Sequence, residues 1–274
     1  MKNHTFEKNC LMVRQKIIET AYECGESAHL GGCLSMVEIL ITLYGEFLKN
    51  DPTNPTWEKR DLFILSKGHC ILGQLAVLNN FGYFSERKLK TFQSNGSDFI
   101  AHPVKNVKLG IESSNGSLGQ GLSYGLGVAI GFEKRREERK VFVLLGDGEC
   151  NEGSVWETAA LAAEFETNNL VAIVDENRFR NDGSTKTYEN KIKLANIWRA
   201  FGWNVIEVDG HNHSELQEAF INASKQTCAP SVIVAKTIKG RGISFMEENN
   251  DWHHNRITAT VYENCMKELD TSNV

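Results

Sequence analysis

Val141-Phe142-Val143-Leu144-Leu145 runs directly into Gly146-Asp147-Gly148-Glu149, and further on Leu170-Val171-Ala172-Ile173-Val174 runs into Asp175-Glu176-Asn177. Each is a short, wholly apolar run that stops abruptly at polar, turn-forming residues, the pattern of a strand buried on both faces. The stretch between them, about 152–166, has a helical pattern and is long enough for a crossover. The two strands are therefore predicted to be parallel, with a right-handed connection. Ligands of such sheets bind beyond the carboxyl ends of the strands, so Asp147 and Asn177 are expected to meet at one rim. A carboxylate and an amide carbonyl are hard oxygen donors that suit magnesium, an ion often shared with phosphates. The glycines beside Asp147 let the backbone approach a bulky anion, and a helix beginning near Glu152 would aim its N-terminal dipole and free N–H groups at the same place. Gly-Asp-Gly alone is a common turn. The combination of strand end, acid, crossover helix and a second strand-end Asn points to a metal-bound diphosphate.

Working outward, the alternation continues. Leu62-Phe63-Ile64-Leu65 reads as a buried strand followed by Ser66-Lys67-Gly68-His69 and a helix. Strands are predicted at about 203–208 and 231–235, with helices at 193–201 and 213–225. Near the N-terminus a helix is expected over about 6–24, then breaks at Gly25 and Gly31-Gly32, then a helix from about Ser35 to Leu48. After about Asn249 the chain is polar and irregular, then helical. Strands alternating with helices of this length predict a single doubly wound α/β domain over 1–274, its sheet mostly parallel and flanked by helices. Gly116, Gly119, Gly121, Gly125, Gly127 and Gly131 fall in one segment. Glycine costs a helix about 1 kcal/mol against alanine, so the run calls for either close backbone packing or the approach of a ligand or second polypeptide.

Composition narrows the function. Apolar residues are 41% and charged residues 24% of 274, ordinary for a globular protein, and the net charge of −5 argues against nucleic acid or an anionic membrane as the main partner. The basic run Lys134–Lys140 is interleaved with acids and reads as a solvated helix end. Seven cysteines, an odd number with no Cys-x-x-Cys spacing, argue against a disulfide framework or zinc site and suit a reducing cytosol. Residues 1–8 lack the apolar core of a signal peptide, and no apolar run nears the roughly 18 residues of a membrane span. A cytoplasmic location is expected.

The residues around the two strand ends resemble the transketolase family. Gly146-Asp147-Gly148, 28 residues and then Asn177 looks like the thiamine diphosphate signature, and Gly146 to Glu157 and Asn168 to Gly183 resemble transketolases specifically. The likeness runs from about residue 10 to 255. It implies that Asp147, Asn177 and the backbone carbonyl of Phe179 hold Mg2+ (or Ca2+ or Mn2+ in its place), and that Gly148 and Asn177 touch the diphosphate of thiamine diphosphate. His29 in Ser27-Ala28-His29-Leu30-Gly31-Gly32 matches a pocket histidine, His69 one that contacts the diphosphate, His102 in Ala101-His102-Pro103 one that contacts donor sugar, and His253 one near cofactor and substrate oxygens. Several imidazoles suit a reaction that moves protons on sugar hydroxyls near neutral pH. His4, His211, His213 and His254 are expected to be structural. Gly116-Ser117-Leu118 resembles the loop whose backbone contacts the cofactor. Glu152 resembles a carboxylate that bonds across to a partner, though an acid at a helix start is also favoured by the dipole. Leu30 and Ser117 stand where full-length transketolases tend to carry proline, and Trp252-His253-His254-Asn255 departs from the more usual His-Gly.

In that family a glutamate on a pyrimidine-binding domain activates the cofactor, and that domain also carries phosphate-binding arginines. The resemblance therefore implies that this chain is the N-terminal subunit of a split transketolase. A separate C-terminal subunit would complete the site in an α2β2 heterotetramer, and the substrate would be a sugar phosphate. The reaction would move a two-carbon ketol unit from a ketose phosphate to an aldehyde acceptor. The identity of the sugar stays open between central pentose phosphate metabolism and a specialised sugar. Two alternatives are the α subunit of a 2-oxoacid dehydrogenase first component, which normally lacks the Ser-x-His and Ser-Lys-Gly-His segments, and a non-catalytic scaffold.

Overall fold

The apolar runs read from the sequence are strands in the computed structural model, which describes Met1 and residues 3–185 and 193–271. They are β1 (Leu62–Leu65), β2 (Val141–Gly146), β3 (Leu170–Glu176), β6 (Asn204–Asp209) and β7 (Ser231–Lys236); β4 (Phe179–Arg180) and β5 (Gly183–Ser184) form a small antiparallel hairpin. Among the described residues the five longer strands form one sheet in the order β1-β2-β3-β7-β6, with every neighbour parallel. Gly146 pairs with Asp175, so β2 and β3 end level and their following residues share a rim.

Alternation along the strands sorts the core into two halves. Phe63, Leu65, Phe142, Leu144, Val171 and Ile173 face one side, where α1 (Asn3–Cys24), α3 (Val37–Thr42), α4 (Ile71–Asn80), α9 (His213–Lys225) and α10 (Ala259–Thr271) cover them. The short α5 (Glu86–Leu89) follows α4 and adds Leu89 to that half. Ile64, Val141, Val143, Leu145, Ala172 and Val174 face the other, beneath α6 (Gly121–Lys134), α7 (Gly153–Glu164) and α8 (Leu194–Ala200). Each fully buried Val or Leu contributes roughly 1.5–3 kcal/mol, which is why runs this apolar cannot sit at the surface. Among the described residues no helix is long and apolar enough to cross a membrane.

One expectation is corrected and two are refined. Gly31-Gly32 does not break the chain: it opens α2 (Gly31–Ser35), wholly buried against Lys239 and Cys70. The helix expected over about Ser35–Leu48 runs from Val37 and closes in a π turn at Leu43–Phe47; Met36, with φ of −98° and ψ of 5°, separates it from α2. The glycine-rich segment shows close backbone packing, the first of its two proposed causes, at some of its positions only. A Cβ at Gly125 would lie 2.6 Å from Val143, so α6 rides directly on the sheet, whereas Gly127 has nothing within 4 Å. The seven cysteines are all free, five of them buried.

Candidate active site

At the carboxyl end of β2 and β3 a cleft of about 410 Å³ opens. Its walls come from most of the parts of the chain that the sequence marked: His29, His69 and His102, Gly116 and Leu118, the Gly146–Glu149 turn, Asn177, Phe179 and His253. A larger groove of about 1280 Å³ lies elsewhere, between the start of α1 and the His211–Ser214 turn. It contains neither Asp147 nor Asn177, so size alone does not locate the chemistry.

The strand-end pair sits as the register requires. Asp147 Oδ2 accepts the backbone N–H of Arg178 at 2.9 Å and the Thr185 hydroxyl at 3.1 Å. Its carboxylate is thus tied to the residue directly after Asn177. Asn177 Oδ1 accepts the Phe179 N–H at 3.1 Å, and its Nδ2 donates to Asp175 at 2.9 Å. A carboxylate, an amide oxygen and a backbone carbonyl lining one cleft form a hard-oxygen donor set that fits a divalent cation shared with a diphosphate. Among the described residues no group of three or more His, Cys, Asp or Glu side chains is arranged to hold a metal. A set with one carboxylate is not of that kind.

Beneath this rim lies an ionic layer that sequence reading missed. Asp175, with no exposure, is bonded by Lys67, by Ser35 at 2.7 Å and by Thr237. Burial opposes the Lys67 charge, but the adjoining Asp175 carboxylate outweighs it and raises the ammonium above its ordinary value. Glu149 is also buried; it takes the Ser66 hydroxyl and the backbone N–H groups of Gly119 and Gly146, and burial prevails to raise its pKa. Lys239 donates to Asn250 Oδ1 at 2.7 Å and His253 Nδ1 at 2.9 Å, and burial, with Lys67 nearby, lowers it to about 8. The signals were present: Lys67 and Glu149 adjoin quoted motifs, and Asp175 shares a face with Asn177 by alternation.

The histidines converge. The His29 ring centroid lies 5.0 Å from His69, 5.9 Å from His102 and 5.3 Å from His253. Burial, reinforced by neighbouring imidazoles, lowers His29 to about 3; burial and the Lys239 ammonium lower His253 to about 4; His102 is lowered by burial and His69. His254, expected to be structural, also enters the cluster, 4.4 Å from His29. Ala28 and Asn255 form an antiparallel bridge, which sets residues 29 and 254 opposite each other.

Two expected residues lie outside the cleft lining. Ser117 is exposed, although Gly116 and Leu118 on either side of it do line the cleft. Glu152 is exposed and packs on Gly119, where a Cβ would lie 2.7 Å from its own. The helix expected from Glu152 begins at Gly153, preceded by a tight turn over Gly148–Asn151. That turn borders the cleft, while Ser154 in the first turn of α7 bonds the Gly119 carbonyl at 2.9 Å. The helix thus starts within one residue of where it was expected, but the Gly148–Asn151 turn, not the helix end itself, lines the cleft.

Residues 11–269 match the family described as "Transketolase, thiamine diphosphate binding domain". The chain is 35% identical over 269 residues to one subunit of the apulose-4-phosphate transketolase of Phocaeicola vulgatus, covering 98% of this chain and 95% of that one. It is 36% identical over 259 residues to "6-deoxy-6-sulfo-D-fructose transketolase subunit SqwG" of Clostridium sp., covering 94% of each. The transketolase structure from Campylobacter jejuni superposes with a TM-score of 0.86 at 28% identity, covering 98% of this chain and 43% of that chain. This chain thus spans less than half of that solved transketolase chain.

Proposed function

The chain belongs to the transketolase family, and from that premise we propose that it is the N-terminal subunit of a two-chain transketolase, with a diphosphate-binding domain over 1–274, acting in the cytoplasm. The reaction is transfer of a two-carbon ketol unit from a ketose phosphate to an aldehyde acceptor. The observation that carries this reading is the meeting of Asp147, Asn177 and four motif histidines in a single cleft at the ends of β2 and β3. The two bacterial relatives described above are matched over nearly their whole length and named as transketolase subunits, which sides with it against a 2-oxoacid dehydrogenase component.

In this reading Asp147, Asn177 and the Phe179 carbonyl hold Mg2+, and His69, Gly148, Asn177 and the Gly116-Ser117-Leu118 backbone hold thiamine diphosphate. The bound cofactor supplies the electron sink that lets a carbon–carbon bond beside a ketone break. The protein's own work is proton handling. His29 and His253, lowered to about 3 and about 4, are neutral at pH 7, so each can both accept and donate a hydrogen bond. Lys239 donates to His253 Nδ1, which leaves the proton of the neutral ring on Nε2. His253 therefore serves first as a donor to a substrate oxygen, and His29 and His102 are left to accept hydrogen bonds from hydroxyls. Glu149, raised by burial and held by two backbone N–H groups, fixes the Gly119 loop to the Gly146 turn.

Support for a second chain lies on α6 and α7. Tyr124, Leu161 and Phe165 are exposed there, and Gly127 and Gly131 present open backbone between them and solvent. Glu152 lies at the start of α7 and is assigned to the partner, a C-terminal subunit bearing the pyrimidine-binding domain in an α2β2 assembly. The test is co-expression with such a partner, followed by assay of ketol transfer with and without Mg2+. Turnover is expected from the complex alone. Transfer by the isolated chain would overturn the two-chain reading, and full metal dependence retained in Asp147→Ala would overturn the metal assignment.

A further inference from the structure

We propose that Arg180 is an oxyanion-binding residue of the cleft, presenting its guanidinium to a phosphate group of a bound ligand. This rests on the transketolase-type reading of the site and adds a residue to it. Arg180 ends β4 of the small hairpin and lines the cleft beside Asp147 and Gly148. Its stem lies on Gly148: a Cβ built there would stand 2.6 Å from Arg180 Cγ and 3.5 Å from Cδ. The glycine after Asp147 thus makes room for an arginine as well as for a ligand.

The charges around it are unevenly settled. Lys67 is consumed by Asp175 and the Gly32 carbonyl, and Lys239 by Asn250, His253 and the Arg180 carbonyl at 3.4 Å. Of the cleft acids, Asp147 and Glu149 are engaged, while the exposed Asp182, two residues along the hairpin, forms no ion pair with Arg180. Asp147 accepts a backbone N–H and a hydroxyl, and Glu149 accepts two N–H groups and a hydroxyl. Among the described residues no carboxylate pairs with the Arg180 guanidinium. A half-buried cation without a counter-charge is costly unless a ligand supplies one. The planar fork of arginine matches phosphate oxygens in pairs, which an ammonium cannot do. The Lys239 bond to its carbonyl fixes the backbone from which the side chain is presented.

Two ligands bring such an oxyanion, the cofactor's diphosphate and the phosphate of a sugar substrate, and one experiment separates them. Wild type, Arg180→Gln and Arg180→Lys are prepared as the complex with the C-terminal subunit. Thiamine diphosphate and unphosphorylated thiamine are titrated by calorimetry with Mg2+, and KM is measured for a ketose with and without its phosphate. If the diphosphate is the ligand, Arg180→Gln weakens thiamine diphosphate by about tenfold or more, leaves thiamine unchanged, and Arg180→Lys falls between. If the substrate is, cofactor affinity is kept and KM rises by a similar factor for the phosphorylated ketose alone. Arg180→Gln indistinguishable from wild type in both arms overturns the inference while leaving the reading of the site intact. A wild-type complex that binds neither thiamine diphosphate nor a sugar phosphate overturns both.

Discussion

The histidines of this chain occupy two settings. In the cleft, His29, His69, His102 and His253 stand ring to ring, and no carboxylate ion-pairs with them among the described residues. In the larger groove, His211 and His213 each sit on a glutamate. His211 Nδ1 is 3.0 Å from Glu38 and its Nε2 accepts the Ile238 N–H at 2.9 Å, so the proton lies on Nδ1 and is given to the carboxylate. His213 Nε2 is 2.7 Å from Glu46, and its ring stacks on Phe6 at 3.9 Å. Glu38 is further held by Arg14 at 2.7 Å. A histidine whose two nitrogens are both committed is a strut. A histidine kept neutral by burial, among others of its kind, retains nitrogens for a ligand.

The sharpest way to break this contrast is to remove one ring from each setting. His29→Ala or His253→Ala in the assembled enzyme is expected to lower kcat/KM by about 10²–10⁴, the usual range for a general acid or base, with the melting temperature almost unchanged. His211→Ala is expected to do the reverse. If the cleft variants unfold instead, or His211→Ala abolishes turnover in a folded protein, the two settings are not distinct.

Next in size is Glu38→Ala. It leaves Arg14 and His211 buried without their carboxylate, and removing one partner of a buried pair costs about 3–5 kcal/mol. Chemical denaturation of the chain gives this directly. A loss below about 1 kcal/mol would mean that water enters the groove and the triad is not structural.

Acidification sharpens the comparison further, because the settings fail in different windows. Burial lowers His29 from 6.5 to about 3, so below pH 6.5 the unfolded chain takes up a proton that the folded chain refuses, and stability falls as pH drops towards 3. Glu38 is held at about 2, where Arg14 and His211 outweigh the burial that would raise it. Its contribution is intact above 4.5 and is lost as pH falls from there through 2. Melting temperatures from pH 7 to 4 should therefore decline first through the cleft, and His29→Gln should flatten the curve between 6.5 and 4.5 while Glu38→Gln does not. A flat wild-type curve over that interval would contradict the depressed imidazoles.

How much of this was legible in the sequence follows from the physics of each signal. Val141–Leu145 and Leu170–Val174 could only be buried strands, because runs that apolar have nowhere else to go, and the parallel register then placed Asp147 and Asn177 together. The turn at Met36 that separates α2 from α3 was not legible. The apolar spacing is helical on through it, and the break is a backbone angle. The ionic layer of Lys67, Asp175 and Thr237 was hidden because charge reads as surface until three separate segments are seen to bury it in one place. His254 was set apart for a related reason: its place beside His29 depends on the bridge between Ala28 and Asn255, residues far apart in the chain.

That placement supplies the smallest and most discriminating prediction. His254 is exposed, so His254→Gly should alter stability by no more than about 0.5 kcal/mol. Its ring lies 4.4 Å from that of His29 and adds to the repulsion that, after burial, keeps His29 neutral. Removing it relieves both, since water gains one face of His29 and a neighbouring imidazole is lost. The His29 titration, followed through its imidazole C–H resonances, should move upward in His254→Gly. An unmoved His29 would mean that its neutrality belongs to the buried side of the cleft alone, and that the second imidazole at the mouth is a bystander.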